Sequence, residues 1–498
     1  MTGASDASGP HPETHGGDLP VRPWHLPGLE TPSEPEAAGG DAGRGSPWHR
    51  AETAGGASFR VPALDGERMA SVVAAVRNAA RAARRERDLD AVIEAVSRAA
   101  TRLADPDSPW GRSAEALLRA ELGWPAAPVR ETLRRMADGW TAGTLGDLVE
   151  AELGDPGLLD GYGPAPARDG SPRMRRAAGP PLLLQVQAGN VPGVGVTGVI
   201  RGLLVRSGLL VRPSRSEPGL AALFARSLAD LAPELGRSVA VCWWPSEGEP
   251  AWRSAARRAG KVVVYGGDDA VRRIRARVPG DTELVPYGPR LGVAVMLPDA
   301  SVRRAARRLA EDVCAYEQRG CVSPRVLLTP RTLRDPAARA LEKALSTWVK
   351  ENETAPLSPD EAADLRQLRG RAEFAGEGEA RLVSDPGELR WTVLAGGEPS
   401  LRSRALPRVV RVHGVAGIGE VRRLLATLEG RVQALAYAGR EGLRELADAA
   451  AVTGVSRLCP VGSAAWPPAD WRHDGRHQLL PLLRWTDWEL PGGEGRDG

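Results

Sequence analysis

The stretch LLLQVQAGNVPGVGVTGVIRGLLVRSGLLVR, residues 182–212, decides the fold. Its first five residues are a short apolar run that reads as a strand. A Gly/Asn/Pro loop follows at 187–193, built from turn-forming residues. Residues 194–205 then read as a helix, Gly208 ends it, and 209–211 begin the next strand. Strand, helix and strand at this spacing form a βαβ unit, which implies a parallel sheet.

The alternation continues outward. Downstream, a helix at 218–231, a strand at 238–243, a helix at 250–259 and a strand at 261–265 extend the α/β pattern. A second α/β block starts with a strand at 291–297. Val302, Ala305, Ala306, Leu309, Val313 and Tyr316 then mark one helix face, with Arg303, Arg304, Arg307, Arg308 and Glu311 opposite. That helix leads into Gly320-Cys321, with a strand at 325–328 behind it. A strand at 408–412 and helices at 418–428 and 441–452 follow. Upstream, residues 65–155 read as helices from Met69, Val72, Val73, Val76 and Ala79 and a later stripe of Leu117, Leu118 and Leu122. The Gly/Pro/Arg-rich 161–175 reads as a connector.

The expected domains are a disordered tail at 1–56, helices and a dinucleotide-binding domain at 57–288, and a catalytic domain at 289–455. The last segment, 456–498, is expected to pack back on the cofactor domain or on an oligomer interface. The tail is rich in Pro, Gly, Ser and acids, a composition too poor in apolar residues to fold alone. It takes four of the seven histidines, leaving His413, His473 and His477 for a folded core.

Among 498 residues, 42% are hydrophobic and 26% charged, ordinary for a globular enzyme. The net charge of +3 is spread among neighbouring acids, with no basic block interleaved with aromatics, which argues against nucleic-acid binding. The N-terminus lacks the features of a signal peptide. The longest apolar stretch, 191–211, is broken by Arg201 and Arg206, so no membrane span is expected. Cys242, Cys314, Cys321 and Cys459 form no C-x-x-C pair and read as reduced thiols of a cytoplasmic protein.

Cys321 is the first candidate for chemistry. It lies at a helix-to-strand junction between Gly320 and Ser323-Pro324, where a thiol can face backbone N–H groups that lower its pKa. The bland alternative is a small buried hydrophobe. The other three cysteines sit in apolar or helical contexts. Asn190, at a strand-to-helix mouth, can donate its amide to a developing oxyanion, or simply make a turn. A metal at Cys459, His473, Asp474 and His477 matches no strong zinc spacing, so none is expected.

Two glycine motifs compete for a dinucleotide. Gly193-Val194-Gly195-Val196-Thr197-Gly198 matches G-x-G-x-x-G, with Glu217 nineteen residues on. Its glycines fall inside the helix, which favours close helix packing instead. The second, Val262 to Asp269, reads as strand, tight turn at Gly266-Gly267 and helix start, whose N–H groups can face a pyrophosphate. Asp268 there suits a helix N-cap.

Together these pieces resemble the aldehyde dehydrogenase superfamily, and more closely its acyl-CoA reductase branch, typified by the fatty-acid reductase of bacterial bioluminescence. The resembling segments are AGNVPG (188–193), VRPSRSEP (211–218), VVYGGDDAV (263–271), PYGPRLGVAV (286–295), AEDVCAYEQRGCVSP (310–324) and RLCPVG to DWRHDG (457–475). They span roughly 180 to 480, and residues 1–160 carry no clear match. The resemblance implies an α/β, aldehyde-dehydrogenase-like fold: a Rossmann-type cofactor domain, an α/β catalytic domain and a helical N-terminal segment. It implies Cys321 as nucleophile and Asn190 as oxyanion donor. Arg212 would stand where the superfamily has a Lys at the adenine ribose. Ser214 and Gly267 would lie near the adenosine and pyrophosphate. An Arg at 212 can accept a 2′-phosphate, which points to NADPH, with NADH as the alternative.

The implied reaction is reduction of a fatty-acyl thioester to an aldehyde through a Cys321 acyl-enzyme. The donor would be acyl-CoA or an acyl-carrier protein, with or without an acyl-activating partner enzyme, and the protein a homo-oligomer. One departure matters. Aldehyde-oxidising members carry a Glu base 34 residues before the Cys, where this chain has Tyr287. Without that base, water attack on an acyl-enzyme is slow. An aldehyde-oxidising dehydrogenase would need another carboxylate near Cys321, with Glu283, Glu311 and Glu317 as candidates. A non-redox acyl-transfer subunit would need only the thiol.

Overall fold

Five strands lie in the order Val239–Val241, Gly208–Arg212, Leu182–Val186, Lys261–Tyr265 and Glu283–Tyr287, all parallel. Leu182–Val186 is buried throughout, as a central parallel strand covered on both faces must be. The chain runs outward from it on one side, then returns to its other side. Strand order therefore reverses between Leu182–Val186 and Lys261–Tyr265, and ligands of such sheets bind beyond the strand C-termini at that reversal. The loops leaving these two strands carry Asn190 and Gly266-Gly267.

The structure is a computed structural model that describes residues 18–29, 46–166, 171–374, 381–385 and 388–490. The helix after the Asn190 loop, Val194–Leu204, packs its glycines onto the sheet. A Cβ on Gly195 would meet Gln187 Oε1 at 2.7 Å, and one on Gly198 would meet Gln185 Oε1 at 3.1 Å. The two glutamines donate to the carbonyls of those same glycines, both at 2.8 Å. The G-x-G-x-x-G pattern is thus accounted for by helix–sheet packing.

A second sheet has the order Arg381–Ser384, Thr392–Ala395, Val409–Val415, Pro324–Pro330, Leu291–Met296, Val432–Ala438 and Leu458–Pro460. Among its described pairs only Arg381–Ser384 runs antiparallel. Helix Val302–Cys314 covers it, burying Ala305, Ala306, Leu309 and Val313. Of the five helices between Gly66 and Leu153, the first packs on the first sheet, and the second packs on helices Val194–Leu204 and Leu220–Leu231. The first, Gly66–Glu86, is capped by the Asp65 carboxylate and buries Met69, Val72, Val73 and Val76 on one face.

Three expectations need correction. Part of the expected tail is packed: Trp24, Leu26 and Trp48 are buried, and Trp48–Glu52 pairs with Ser58–Pro62. His25 exchanges two backbone hydrogen bonds with Val241, so more histidines reach the folded part than expected. Three bulky apolar side chains suffice to hold short segments against an existing core, although their surroundings are polar. The connector contains strand Arg173–Ala178, paired antiparallel with Arg484–Glu489. The segment between that last strand and the second sheet lies on the first: Glu152 accepts the backbone N–H groups of Gln478, Leu479 and Leu480, and Lys261 Nζ donates to the carbonyls of Pro481 and Leu483.

Past helix Val302–Cys314 the backbone turns sharply. Tyr316, Glu317 and Gln318 have φ of 51°, 55° and 59°, three consecutive left-handed residues without a glycine. Each costs about 1–3 kcal/mol, so buried contacts must hold them. Gln318 Nε2 donates to the carbonyls of Pro324 (2.7 Å) and Val409 (2.8 Å), and its Oε1 accepts from Val409 N at 2.7 Å. Glu317 pairs with Arg408, both side chains almost fully buried, and accepts from Ala355 N at 3.0 Å.

Below the Asn190 loop lie two buried acids. Gly193 N donates to Glu217 Oε1 at 3.5 Å, and Gly219 N to Glu121 Oε1 at 2.6 Å. Burial pushes Glu217 up to about 8; burial, and then the charge of Glu217, raises Glu121.

Two outcomes follow. Gln318→Ala strips three buried backbone groups of their partner and is expected to cost about 2–4 kcal/mol. An apparent melting temperature unchanged from wild type would contradict this account of the turn. For Glu217, the folded pKa lies above the unfolded one, so its contribution is complete below about 4.5 and is lost as pH rises to about 8. Glu217→Gln is therefore expected to gain stability over wild type steadily across that window, by up to about 1.4 kcal/mol per pH unit. Denaturation midpoints that run parallel from pH 5 to 8 would reject it.

Candidate active site

Each sheet contributes one side of the site. From the first comes Asn190, exposed on its loop. Its Nδ2 donates to the Arg319 carbonyl at 2.8 Å, two residues before Cys321. From the second comes Cys321 itself, delivered by the left-handed turn. The loop is fixed by Ser323 N donating to the Gly320 carbonyl at 3.2 Å. Helix Val302–Cys314 is anchored by Asp312, whose carboxylate accepts from Gly462 (2.5 Å), Ala464 (2.9 Å) and Ala465 (3.2 Å). The structure thus brings Asn190 and Cys321 together.

All four thiols are free, and Cys321 alone is only partly buried. The expectation of a lowered thiol pKa is overturned. Burial pushes Cys321 up to about 12, the Asp474 carboxylate adds to the rise, and its backbone N–H, Arg325 and Arg290 oppose it. Packing around the sulfur removes more hydration than the nearby dipoles and cations return. Accessibility, and not a depressed pKa, separates Cys321 from Cys314 and Cys459, whose thiols burial raises to about 12 and 11.

The three carboxylates expected as substitute bases are engaged elsewhere. Glu317 is held by Arg408, Glu311 pairs with Arg308 at 2.6 Å, and Glu283 pairs with Lys261 at 2.8 Å. At the position of the absent base, Tyr287 stacks on Tyr265 with ring centroids 4.7 Å apart. His473 continues the stack at 4.8 Å from Tyr287, and Trp471 lies 5.0 Å beyond. Burial, and then Arg201, Arg290 and Arg476, push His473 down to about 3, so its ring is neutral at pH 7. The Asp474 side chain beside it is almost fully enclosed and pairs with Arg290 at 3.2 Å. Sequence reading weighed Asp474 only as a metal ligand and passed over Gln318. Asp474-Gly475 is a legible turn signal, but nothing local tells what the turn is pressed against.

The loops that leave the strands at the reversal carry the residues expected at a dinucleotide. Gly267 is the N-cap of helix Asp268–Arg275, with no side-chain cap bond, and a Cβ there would meet nothing within 4 Å. Asp268, expected as the cap, lies in the first turn and pairs with Arg431 at 3.2 Å. Gly266 N donates to the Tyr287 carbonyl at 3.1 Å. Across the crevice, Gly189 presses on a turn made by Ser214 and Ser216, where a Cβ would meet Ser214 Oγ at 2.8 Å. Ser216 Oγ donates to the Gly189 carbonyl at 3.1 Å. Arg212 donates from Nε and Nη2 to the Trp244 carbonyl, at 2.9 and 2.7 Å, and lies over the rings of Trp252 and Trp244. Burial pushes it down to about 10, so it stays a cation at neutral pH. Among the described residues there is no His/Cys/Asp/Glu cluster that could hold a metal, and no helix long and apolar enough to cross a membrane.

Comparison with known proteins agrees with this geometry. A long-chain acyl-protein thioester reductase of Vibrio harveyi is 27% identical over 351 residues, covering 70% of this chain and 71% of the relative. Solved structures share the fold. The NAD-dependent aldehyde dehydrogenase of Sinorhizobium meliloti aligns with a TM-score of 0.73 at 15% identity, over 98% of this chain and 97% of its own. An NADP-dependent glyceraldehyde-3-phosphate dehydrogenase of Bacillus halodurans, complexed with NADP, aligns at 0.71 and 14% identity, over 90% and 97%. The profile described as "Acyl-CoA reductase (LuxC)" matches residues 85–485. It reaches into the N-terminal helices, well before the first resembling motif. The shared fold and a profile that spans most of the sequence agree: this chain belongs to the acyl-CoA reductase family.

Proposed function

We propose that Cys321 takes a long-chain acyl group from a thioester, and that reduction by NADPH releases it as the aldehyde. The observation that carries this reading is the pairing of Asn190 with the loop of Cys321 while Tyr287 occupies the place of a hydrolytic base. A thiol exchanges acyl groups with another thiol at little cost in free energy, and covalent capture divides a difficult step in two. Asn190 Nδ2, released from the Arg319 carbonyl, and the Cys321 N–H would hold the oxyanion. With no carboxylate at 287 and an aromatic stack in its stead, water is poorly activated and the acyl-enzyme lasts long enough to be reduced.

A nicotinamide cofactor would supply the hydride when bound. Gly266 and Gly267 would face its pyrophosphate, and Ser214 and Arg212 its adenosine end. The Arg212 cation favours the 2′-phosphate of NADPH, although two of its N–H groups are already committed to Trp244. Val191, Met136, Trp140, Tyr316 and Trp466 belong to one buried apolar cluster, with Met136 and Trp140 packed against Gly193 of the Asn190 loop. The donor would be acyl-CoA or an acyl-carrier protein, and the relatives' name, acyl-protein thioester reductase, favours a protein-borne acyl group. Edge strand Arg484–Glu489, with Trp485 and Trp488 exposed, favours a homo-oligomer.

The test follows NADPH and NADH absorbance with a panel of acyl-CoAs. Cofactor consumption with aldehyde formation is expected in wild type and none in Cys321→Ala. A wild type that is acylated at Cys321 but oxidises neither cofactor would replace reduction by plain acyl transfer. Asn190→Ala is expected to lower kcat by about 10²–10³, the loss typical of one oxyanion donor. An unchanged kcat would remove Asn190 from the site.

A further inference from the structure

A sheet that binds a dinucleotide distinguishes its two forms at the end of a strand beside the phosphate loop. A carboxylate there takes the ribose 2′-hydroxyl of NAD, and an arginine accommodates the 2′-phosphate of NADP. Here that strand is Gly208–Arg212, two places across the sheet from Lys261–Tyr265, whose loop carries Gly266-Gly267. Two strand spacings are about 10 Å, a distance that an adenosine spans. The carboxylate of the G-x-G-x-x-G pattern, Glu217, is turned away: it is buried and accepts from Gly193 N at 3.5 Å. Residues 208–219 contain no other acid. The strand end therefore has nothing suited to a ribose hydroxyl and two arginines suited to a phosphate, Arg212 and Arg215.

The two differ in what they have left to give. Arg212 donates from Nε and Nη2 to the Trp244 carbonyl, and Nη2 also lies 3.5 Å from Ser246 Oγ. Its guanidinium is within 6.0 Å of three tryptophan rings, Trp243, Trp244 and Trp252. Glu247 on the next loop acts on the same cation and offsets part of its charge. Arg215 is the one exposed residue between Val211 and Leu220, and its side chain makes no hydrogen bond or ion pair to a described residue. Its backbone is nonetheless fixed. Ser216 N donates to Ser214 Oγ at 3.2 Å, the two serine hydroxyls meet at 2.8 Å, and Ser216 Oγ donates to the Gly189 carbonyl at 3.1 Å. A Cβ on Gly189 would meet Ser214 Cβ at 2.7 Å, so glycine is what lets the Asn190 loop lie this close. The turn is a rigid mount for a free guanidinium, set against the first loop at the reversal of strand order.

We infer that Arg215 binds the 2′-phosphate of the cofactor and sets a preference for NADPH over NADH. The inference rests on the nicotinamide reading above and deepens it: the direct contact belongs to Arg215, and Arg212 adds only its charge. A guanidinium whose N–H groups are all unused can meet a phosphate with two parallel hydrogen bonds, the strongest geometry for that pair. Arg212 could do so only by abandoning the Trp244 carbonyl, which would then be left without its donor at a cost in free energy. Arg212 is therefore a positioning residue that ties the strand end to the loop of Trp244. Its exposed neighbour three residues on reads the ligand.

The test is equilibrium binding of NADPH and of NADH to the full chain, followed by quenching of tryptophan fluorescence, in wild type, Arg215→Ala and Arg215→Lys. Wild type is expected to bind NADPH more tightly than NADH. Arg215→Ala is expected to weaken NADPH by about 10–100-fold, the loss of charge-assisted hydrogen bonds to one phosphate. Its affinity for NADH is expected to stay as in wild type, because NADH lacks that phosphate. Arg215→Lys keeps the charge without the planar fork, so its affinity for NADPH is expected to fall between the other two. The serine turn does not use the Arg215 side chain; should Arg215→Ala nevertheless fail to fold, Arg215→Lys carries the comparison. NADPH and NADH weakened alike would make Arg215 a support of the turn and overturn the inference. An NADPH affinity untouched by either substitution overturns it too, as does a wild type that binds the two nucleotides equally. A wild type that binds neither defeats the nicotinamide reading itself, an outcome distinct from these.

Discussion

The site depends on a backbone reversal that the local sequence resists. Tyr316, Glu317 and Gln318 are held left-handed at a cost that no glycine relieves. The reversal persists because each residue is fixed from outside the turn. Tyr316 packs against Trp466 with ring centroids 4.7 Å apart, Glu317 is locked by Arg408, and the Gln318 amide uses both its ends on buried backbone. Strain of this kind collects at functional sites because only there does a specific geometry justify it. Here it swings the chain off the end of its helix so that Cys321 emerges between two sheets. Beside it the amide of Asn190 reaches from the first sheet's loop to the carbonyl of Arg319.

The rest of the architecture serves that junction. Both sheets are largely parallel, so their strand C-termini gather loops at one edge. The loop of Asn190 is held from beneath by Glu217 and from the side by Ser216. The cysteine's helix is held by Asp312 through three backbone N–H groups of the C-terminal segment. That same segment supplies Asp474 and the aromatic stack. Residues 462–466 therefore pack on the helix and turn that lead to Cys321, far upstream.

The chemistry follows from what occupies the wall of the site. In relatives that oxidise aldehydes a glutamate would activate water. Here Tyr287, Tyr265, His473 and Trp471 form a stacked block of rings. A stacked block of rings leaves little room for water at that wall.

The sequence by itself determined the fold class, because the switch from short apolar runs to helical stripes is a local property of the chain. Leu182–Val186, Val194–Leu204 and Gly208–Arg212 fall within a residue of their expected places. The glycines of the Val194 helix were legible as packing glycines for the same reason: they lie inside the helical pattern. Cys321 and Asn190 were legible as loop residues because Gly and Pro mark the turns around them. Tertiary structure alone decided the rest. It buried the tryptophans of the expected tail and set the Cys321 thiol high, because desolvation depends on what packs around a sulfur from distant segments. It also turned an ordinary Asp-Gly turn, 153 residues beyond the cysteine, inward against the site. No local pattern encodes such a contact, since it is made by the packing of one sheet's end against the return of the chain.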